Sequence, residues 1–378
     1  MKKITALILA MTMIFCLCLA SCSDNASENK DTATDSEFAA YYANLEAAVE
    51  EFKPKTELDK EVLATINGLP ISAAAVKYTT WVLPTSNYSE EEIKAEKEMF
   101  YTENAALLEV AYDNDIELSE EDKTTIKANI TALELQLGEN YATEFANSAF
   151  TEFFYYFQTS VYPALYNNLY EKILADRENE MTKTSFEEAK SGMVRAKHIL
   201  IQFPAGEGEN GALTDEQKAS VLAEAEAVLA EVNAMADISD FDALIEKYND
   251  DPGMTANPDG YYFGKGEMVP EFEESAFSLE EGKTSGLVET SYGYHILLKL
   301  PLEDDEAIYN SNAFGNIFGT KLYESISAKA ENMEIVYAEN HDARVADFAK
   351  EYDDTMARLK AEADAEADAE ADAAETAE

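Results

Sequence analysis

Apolar positions along the chain follow two periods, and the change from one to the other divides it. From Glu90 to about Glu188 the repeat is helical. Leu107, Leu108, Ala111 and Tyr112 share one face, and Ile126, Ile130, Leu133, Leu135 and Leu137 recur at looser helical spacing. Asp113-Asn114-Asp115 breaks the two, and Ser119 with Asp122 three residues on is the start signal of the second helix. Before this region, Val62–Ile66 reads as a short strand turned by Asn67-Gly68, a strong turn pair, and Pro70-Ile71-Ser72 leads into a helix from Ala73. Val194–Ile201 reads as a buried strand. Thr214 and Gln217 then form a capping box ahead of a helix that places Val221, Leu222, Ala225, Val228, Leu229 and Val232 on one face. A shorter helix carries Phe241, Leu244, Ile245 and Tyr248. Strands are expected at Ser285–Thr290 and Tyr294–Lys299, with a turn between them at Tyr292-Gly293. Helical spacing returns at Phe314, Ile317, Phe318 and Leu322, and a last strand, Glu334–Tyr337, is available to join the N-terminal one.

The two ends carry no core pattern. Met1-Lys2-Lys3, the apolar run Ile4–Ala20 and Ser21-Cys22 have the order of a secretory signal, and the run is short for a bilayer span. Leu19-Ala20-Ser21-Cys22 resembles the bacterial lipobox, which implies a diacylated Cys22 as first mature residue and membrane anchor. Residues 23–60 are polar and are expected to form a tether, with a helix starting near Ser36 that includes Phe38, Tyr41, Tyr42 and Leu45. The Ala/Asp/Glu run 359–378 has no apolar face to dock, and a frayed, solvated tail is expected there. Phe153, Phe154, Tyr155, Tyr156, Phe157, Tyr162, Tyr166 and Tyr170 crowd one stretch. Core packing is expected for most of them and a peptide-binding surface for a minority.

Charge narrows the functional classes. With 28 basic against 76 acidic residues the formal net charge is -48, which argues against nucleic acid as a partner. All three cysteines, Cys16, Cys18 and Cys22, lie within the leader, so the folded part must be stabilised by apolar cores rather than disulfides. No Asp-x-Asp-x-Asp-Gly loop is present to bind calcium specifically.

The chemistry-bearing residues fall in order between Val194 and Leu300: Arg195-Ala196-Lys197-His198-Ile199-Leu200-Ile201, Tyr248-Asn249-Asp250-Asp251, Gly266-Glu267-Met268-Val269-Pro270-Glu271-Phe272-Glu273, Leu279–Gly286, and Tyr292-Gly293-Tyr294-His295-Ile296-Leu297. Read alone, His198 and His295 are core histidines on apolar strands, and Met268 and Phe272, four apart, share the face of a helical turn. Together and in this order the segments resemble the parvulin family. That resemblance implies an α+β fold, with a parvulin domain at 193–301 (an antiparallel sheet with surrounding helices) inserted in or appended to a mainly helical chaperone domain. The latter would be built from 61–192 and completed by 302–358, and the start of this region resembles surface foldases.

The resemblance also assigns roles. His198 and His295 would be hydrogen-bonded rings at the floor of the active site, Asp251 would stand at the family's cysteine-or-aspartate position, and Thr290 would bond into the same network. Met268 and Phe272 would hold the substrate's proline ring. Asp250 is left as a turn residue. Two histidines and a carboxylate could ligate zinc, but the resemblance accounts for their spacing, so neither metal nor cofactor is expected. The chain departs from the family at Pro258-Asp259-Gly260-Tyr261-Tyr262-Phe263, where many parvulins have Gly-Gly-Asp-Leu-Gly. The pocket leucine falls on Gly260, and that wall is lost unless Tyr261 fills it. Glu207 and Glu209 occupy the loop Phe203–Leu213, which lacks Lys and Arg, so phosphorylated substrates are not expected. The implied function is a peptidyl-prolyl isomerase and foldase acting on unfolded or partly folded exported proteins with X-Pro bonds, at the outer face of the cytoplasmic membrane; a homodimer is left open. The alternatives are a holdase that keeps the parvulin fold without useful turnover and, more distantly, a solute-binding lipoprotein.

Overall fold

The computed structural model describes residues 35–47, 56–83, 88–207 and 212–375. Cys22 and the leader, like Glu209, lie outside the described residues. Among these, the strands are β1 (Val62–Ile66), β2 (Leu69–Ser72), β3 (Val194–Gln202), β4 (Tyr261–Phe263), β5 (Val288–Glu289), β6 (Gly293–Leu300) and β7 (Ile335–Tyr337). The chain divides into two compact units, one from Met1–Leu169 with Ile326–Glu378 and one from Tyr170–Ser325.

In the first unit, Asn67 and Gly68 take φ of 47° and 83°, the left-handed pair that a two-residue hairpin requires, and β1 and β2 pair antiparallel across them. The expected lead-in at Pro70 is thus itself a strand. Proline is tolerated because β2 is at the edge of the sheet, whose order is β2-β1-β7. β7 pairs with β1 from Ala64↔Tyr337 to Ile66↔Ile335, so the segment before 170 and the segment after 325 share one sheet. The crowded aromatics are mostly core: Phe153, Phe154, Tyr156 and Phe157 are buried. A cavity of about 330 Å³ in this unit is lined by Tyr42, Phe100, Phe153, Phe154, Phe157 and Tyr162 among others.

Two expectations are corrected here. The helix expected near Ser36 is present as Asp35–Ala47, but the tether cannot run to residue 60, because Phe38 and Leu45 of that helix are buried. The Phe38 ring lies 5.5 Å from that of Tyr112, and the Tyr41 hydroxyl donates to the Ile116 carbonyl at 2.8 Å. Thr56 also forms a capping box with Asp59. At the other end, His341–Glu375 is one continuous helix rather than a helix with a frayed tail. Its first turns are docked: Phe348 is buried and its carbonyl accepts from Trp81 Nε1 at 2.9 Å, while Lys77 pairs with Glu351 at 3.0 Å. With that nucleus fixed, each added alanine-rich turn costs little, so propagation proceeds without an apolar face.

The second unit is an antiparallel sheet of order β4-β3-β6-β5. β3 and β6 pair over eight positions, from Arg195↔Leu300 to Gln202↔Gly293. Strand alternation then sorts the side chains onto two faces. Ile199, Ile201, Tyr294, Ile296 and Leu298 pack against helices α1 (Asp215–Asn233) and α2 (Asp240–Tyr248), meeting Val221, Ala225, Val228, Val232 and Phe241. Val194, Ala196 and Leu297 face the other way, toward Phe263 and toward Phe272 and Ala276 of helix α3 (Pro270–Ser278). The expected strand 285–290 shortens to β5. Ser285 accounts for this, because its hydroxyl rather than a backbone oxygen receives the Leu297 N–H, at 2.8 Å. The unit extends past 193–301 at both ends. Phe186, in the helix Glu180–Ser191, stacks on Tyr309 with centroids 4.6 Å apart, and Lys190 pairs with Asp305 at 3.1 Å.

Candidate functional site

His198 and His295 lie on the same face of neighbouring strands, offset by two residues of the register, in which His198 faces Leu297 and Leu200 faces His295. Both therefore emerge on the α3 side, with ring centroids 5.2 Å apart and planes tilted by 58°. They are 4% and 5% exposed. Phe272 stands edge-on to both, 5.1 Å from His198 at 85° and 5.4 Å from His295 at 81°. The expected hydrogen bond between the rings is not formed. Nδ1 of each histidine has no hydrogen-bond partner, and the rings meet the site's other groups instead. Thr290 Oγ1 and His295 Nε2 are 2.9 Å apart, and that hydroxyl also accepts from Tyr292 N–H at 3.1 Å.

Asp251 is delivered by the loop after α2, and the loop's shape is set by Asn249. The Asn249 Oδ1 accepts from Leu200 N–H at 2.9 Å and from Asp251 N–H at 3.2 Å, while its Nδ2 donates to the Asp251 carbonyl at 2.6 Å. Asp250 stitches the loop to β3, accepting from Gln202 N–H at 2.9 Å, so its carboxylate is occupied structurally. The Asp251 carboxylate turns inward. Oδ1 accepts from Gly253 N–H at 2.9 Å, and Oδ2 accepts from the Tyr261 hydroxyl at 3.0 Å. His198 Nε2 is 3.2 Å from the same Oδ2, but off the line that a hydrogen bond needs. The Tyr261 ring stacks on His198, with centroids 5.9 Å apart and planes at 17°.

Gly260 explains why Tyr261 holds this place. At φ +94° it passes so close to β3 that a Cβ would stand 3.0 Å from the Ala196 carbonyl oxygen, and no leucine fits there. Met268 packs on the cluster of Phe272, Phe263 and Leu297 as expected, but from the segment before α3 and not from a shared helical turn. Pro270 occupies the first helical turn, which fixes the helix start beyond Met268. Glu267 and Glu273 shape that segment by accepting from Gly264 and Gly266 N–H, each at 2.6 Å.

The electrostatics follow from burial. His198 is pushed down to about 4 by desolvation, against the opposing pull of the Asp251 charge. His295 is also pushed down to about 4 by desolvation, with neighbouring His198 adding to it. Tyr261 is raised to about 12 by burial and then by Asp251. At neutral pH the site is thus two neutral imidazoles, a neutral phenol and a carboxylate, beside an aromatic and thioether wall. Among the described residues no group of three or more His, Cys, Asp or Glu is arranged to hold a metal ion. Asn249 lies within the segment Tyr248-Asn249-Asp250-Asp251 and Gly253 two residues beyond it, but nothing in that order announces the bonds by which they fix the Asp251 carboxylate.

Comparison with known proteins bears on residues 198–300, which match the rotamase family described as PPIC-type PPIASE domain. The chain is 37% identical over 129 residues to the foldase protein PrsA of Halalkalibacterium halodurans, covering 33% of this chain and 32% of that one. It is 30% identical over 171 residues to the foldase protein PrsA of a Staphylococcus epidermidis strain, covering 45% and 48%. The aligned stretches therefore span less than half the length of these relatives. Among solved structures, PrsA from Bacillus subtilis aligns at 20% identity over 78% of this chain and 91% of its own, with a TM-score of 0.24. The PPIase domain of TbPar42 aligns at 21% over 28% and 98%, with a TM-score of 0.23.

Proposed function

With residues 198–300 forming a parvulin-type rotamase domain in a chain similar to PrsA foldases, we propose that the protein catalyses peptidyl-prolyl cis/trans isomerisation and assists the folding of exported proteins. The observation that carries this reading is the convergence of His198, Asp251, Thr290 and His295 on one face of the sheet, against Phe272 and Met268. Rotation about an X-Pro bond is opposed by amide resonance, a barrier of about 18 to 20 kcal/mol, and requires no covalent intermediate. Catalysis needs a grip on the pyrrolidine ring and a field that favours the twisted amide, whose nitrogen and carbonyl are decoupled, over both planar forms. Phe272 and Met268 supply an apolar grip, with Tyr261 as the third wall. Asp251, fixed by two donors, supplies an oriented negative charge, and the neutral histidines keep the floor dry and uncharged.

Location belongs to the same proposal. The leader and Cys22 would carry the chain across the cytoplasmic membrane and anchor it by a lipid, placing the folded units among emerging exported chains. Cys22→Ala should abolish lipid labelling and release the protein from the membrane; labelling at the parent level would remove this part of the reading. The aromatic cavity of the first unit suits apolar side chains of an unfolded client.

The test is isomerisation of a short X-Pro peptide by the parent, Asp251→Ala and Phe272→Ala, with a melting curve for each. Asp251→Ala should lower turnover by about 10- to 100-fold with little change in melting, because its carboxylate accepts only from the Gly253 N–H of its own loop and from the Tyr261 hydroxyl, and no backbone pairing of the sheet depends on it. Phe272→Ala should lose binding and turnover together and cost about 3 to 5 kcal/mol of stability. An Asp251→Ala protein as fast as the parent would end the catalytic assignment. A parent without activity would leave the holdase reading.

A further inference from the structure

Asp251 Oδ2 has two candidate partners on the same side, and only one is bonded. The Tyr261 hydroxyl takes the bonding direction at 3.0 Å, while His198 Nε2, equally near at 3.2 Å, is left out of line with it. We propose that Tyr261 is a positioning residue, whose hydroxyl holds Asp251 turned away from hydrogen-bonding His198 and so keeps the carboxylate and the imidazole as separate groups in the site. This deepens, and for its catalytic part rests on, the isomerase reading above.

Three features place the phenol there. Gly260, at φ +94° against the Ala196 carbonyl, leaves the wall to the next residue. Gly253 leaves room at the other end, since a Cβ on it would lie 2.0 Å from the Tyr261 hydroxyl oxygen. The stack on His198 fixes the ring's plane. The groups facing His198 are Asp251 from the loop after α2, Tyr261 from β4, His295 from β6 and Phe272 from α3. Lys197, its neighbour on β3, is on the opposite face and paired with Asp242 at 2.7 Å. Asp251 is therefore the sole charge beside the ring among the described residues. Desolvation outweighs it and His198 stays neutral. Freed of the phenol, the carboxylate can rotate onto Nε2 and bond the protonated ring, which raises the histidine's titration midpoint.

The experiment uses the full chain with isotope-labelled histidine, whose three rings are assigned by single His→Gln variants and followed by NMR against pH. In Tyr261→Phe the His198 midpoint should rise by about one pH unit or more. Gly253→Ala, which displaces the hydroxyl without removing it, should move His198 in the same direction. The acid limb of X-Pro isomerisation should shift with it, because a protonated His198 cancels the oriented negative charge. Tyr261→Trp, bulky but without a hydroxyl in that position, should not restore the parent profile. If His198 titrates as in the parent in both folded variants, the proposal is wrong. It is equally wrong if neither variant melts cooperatively, since the phenol is then structural. A shifted His198 with an unshifted rate profile keeps the positioning role and overturns the catalytic role assigned to the Asp251 charge, whereas a parent without X-Pro activity overturns the isomerase reading and leaves the His198 shift to decide the positioning role.

Discussion

Gly293→Ala is expected to cost more than about 4 kcal/mol, enough to lower melting of the second unit by roughly 10 °C or more. Gly293 opens β6 opposite Gln202 at φ +153°, and a Cβ there would stand 2.2 Å from the Ile201 carbonyl oxygen and 2.9 Å from Gln202 Cα. Both are backbone atoms of the central strand, paired and unable to swing aside as a side chain would. Relief requires the start of β6 to part from β3, and the damage then reaches the site. The Gly293 carbonyl accepts from Thr290 N–H at 2.9 Å, which holds the hydroxyl that meets His295. A thermal melt and an X-Pro isomerisation assay on the same sample check this. An alanine variant melting within about 2 °C of the parent would mean that the strand end shifts freely and that the contact is not a constraint.

What could be read from sequence was what period and order encode. Alternation along Val194–Ile201 and Tyr294–Lys299 puts His198 and His295 on one face once the strands pair, and the Asn67-Gly68 turn and the Thr214 and Ser119 caps are local signals. Local chemistry decided those elements, so the sequence-based expectation met the structure. The departures come from interactions between distant residues. Nothing near Tyr261 in sequence announces that its hydroxyl meets a carboxylate ten residues earlier, and Asn249 organises its loop by bonding to Leu200 on another element. Met268 and Phe272 have the spacing of a helical pair, yet Pro270 starts the helix between them. The helix expected near Ser36 is present as Asp35–Ala47, but its apolar stripe is sparse, and its burial depends on Tyr112 and Ile116, far along the chain.

Mild acid should destabilise the second unit well before its carboxylates are titrated. His198 and His295 are both held at about 4, against an ordinary 6.5 in an unfolded chain. Below 6.5 the unfolded chain takes up protons that the folded one refuses, so the stability these rings contribute is present above 6.5. It is lost progressively as pH falls through the window down to about 4. Each pH unit of separation corresponds to about 1.4 kcal/mol per group, and the two neighbouring rings together imply a loss on the order of 3 to 5 kcal/mol. The acidic groups of the second unit held low by their hydrogen bonds, Asp237 and Glu231, act in a lower window, beneath the ordinary 3.8 to 4.5 of carboxylates. The two effects are therefore separable by pH. Melting followed at pH 7, 6 and 5 should show the second unit losing stability across that range, and His295→Gln, which removes one of the two titrations, should flatten the slope by about half. The buried face of the sheet then sets an acid limit on the fold as well as the charge state of the site. A parent that melts alike at pH 7 and pH 5 would show that the rings accept protons in place, and the neutral floor assigned to the site would have to be abandoned.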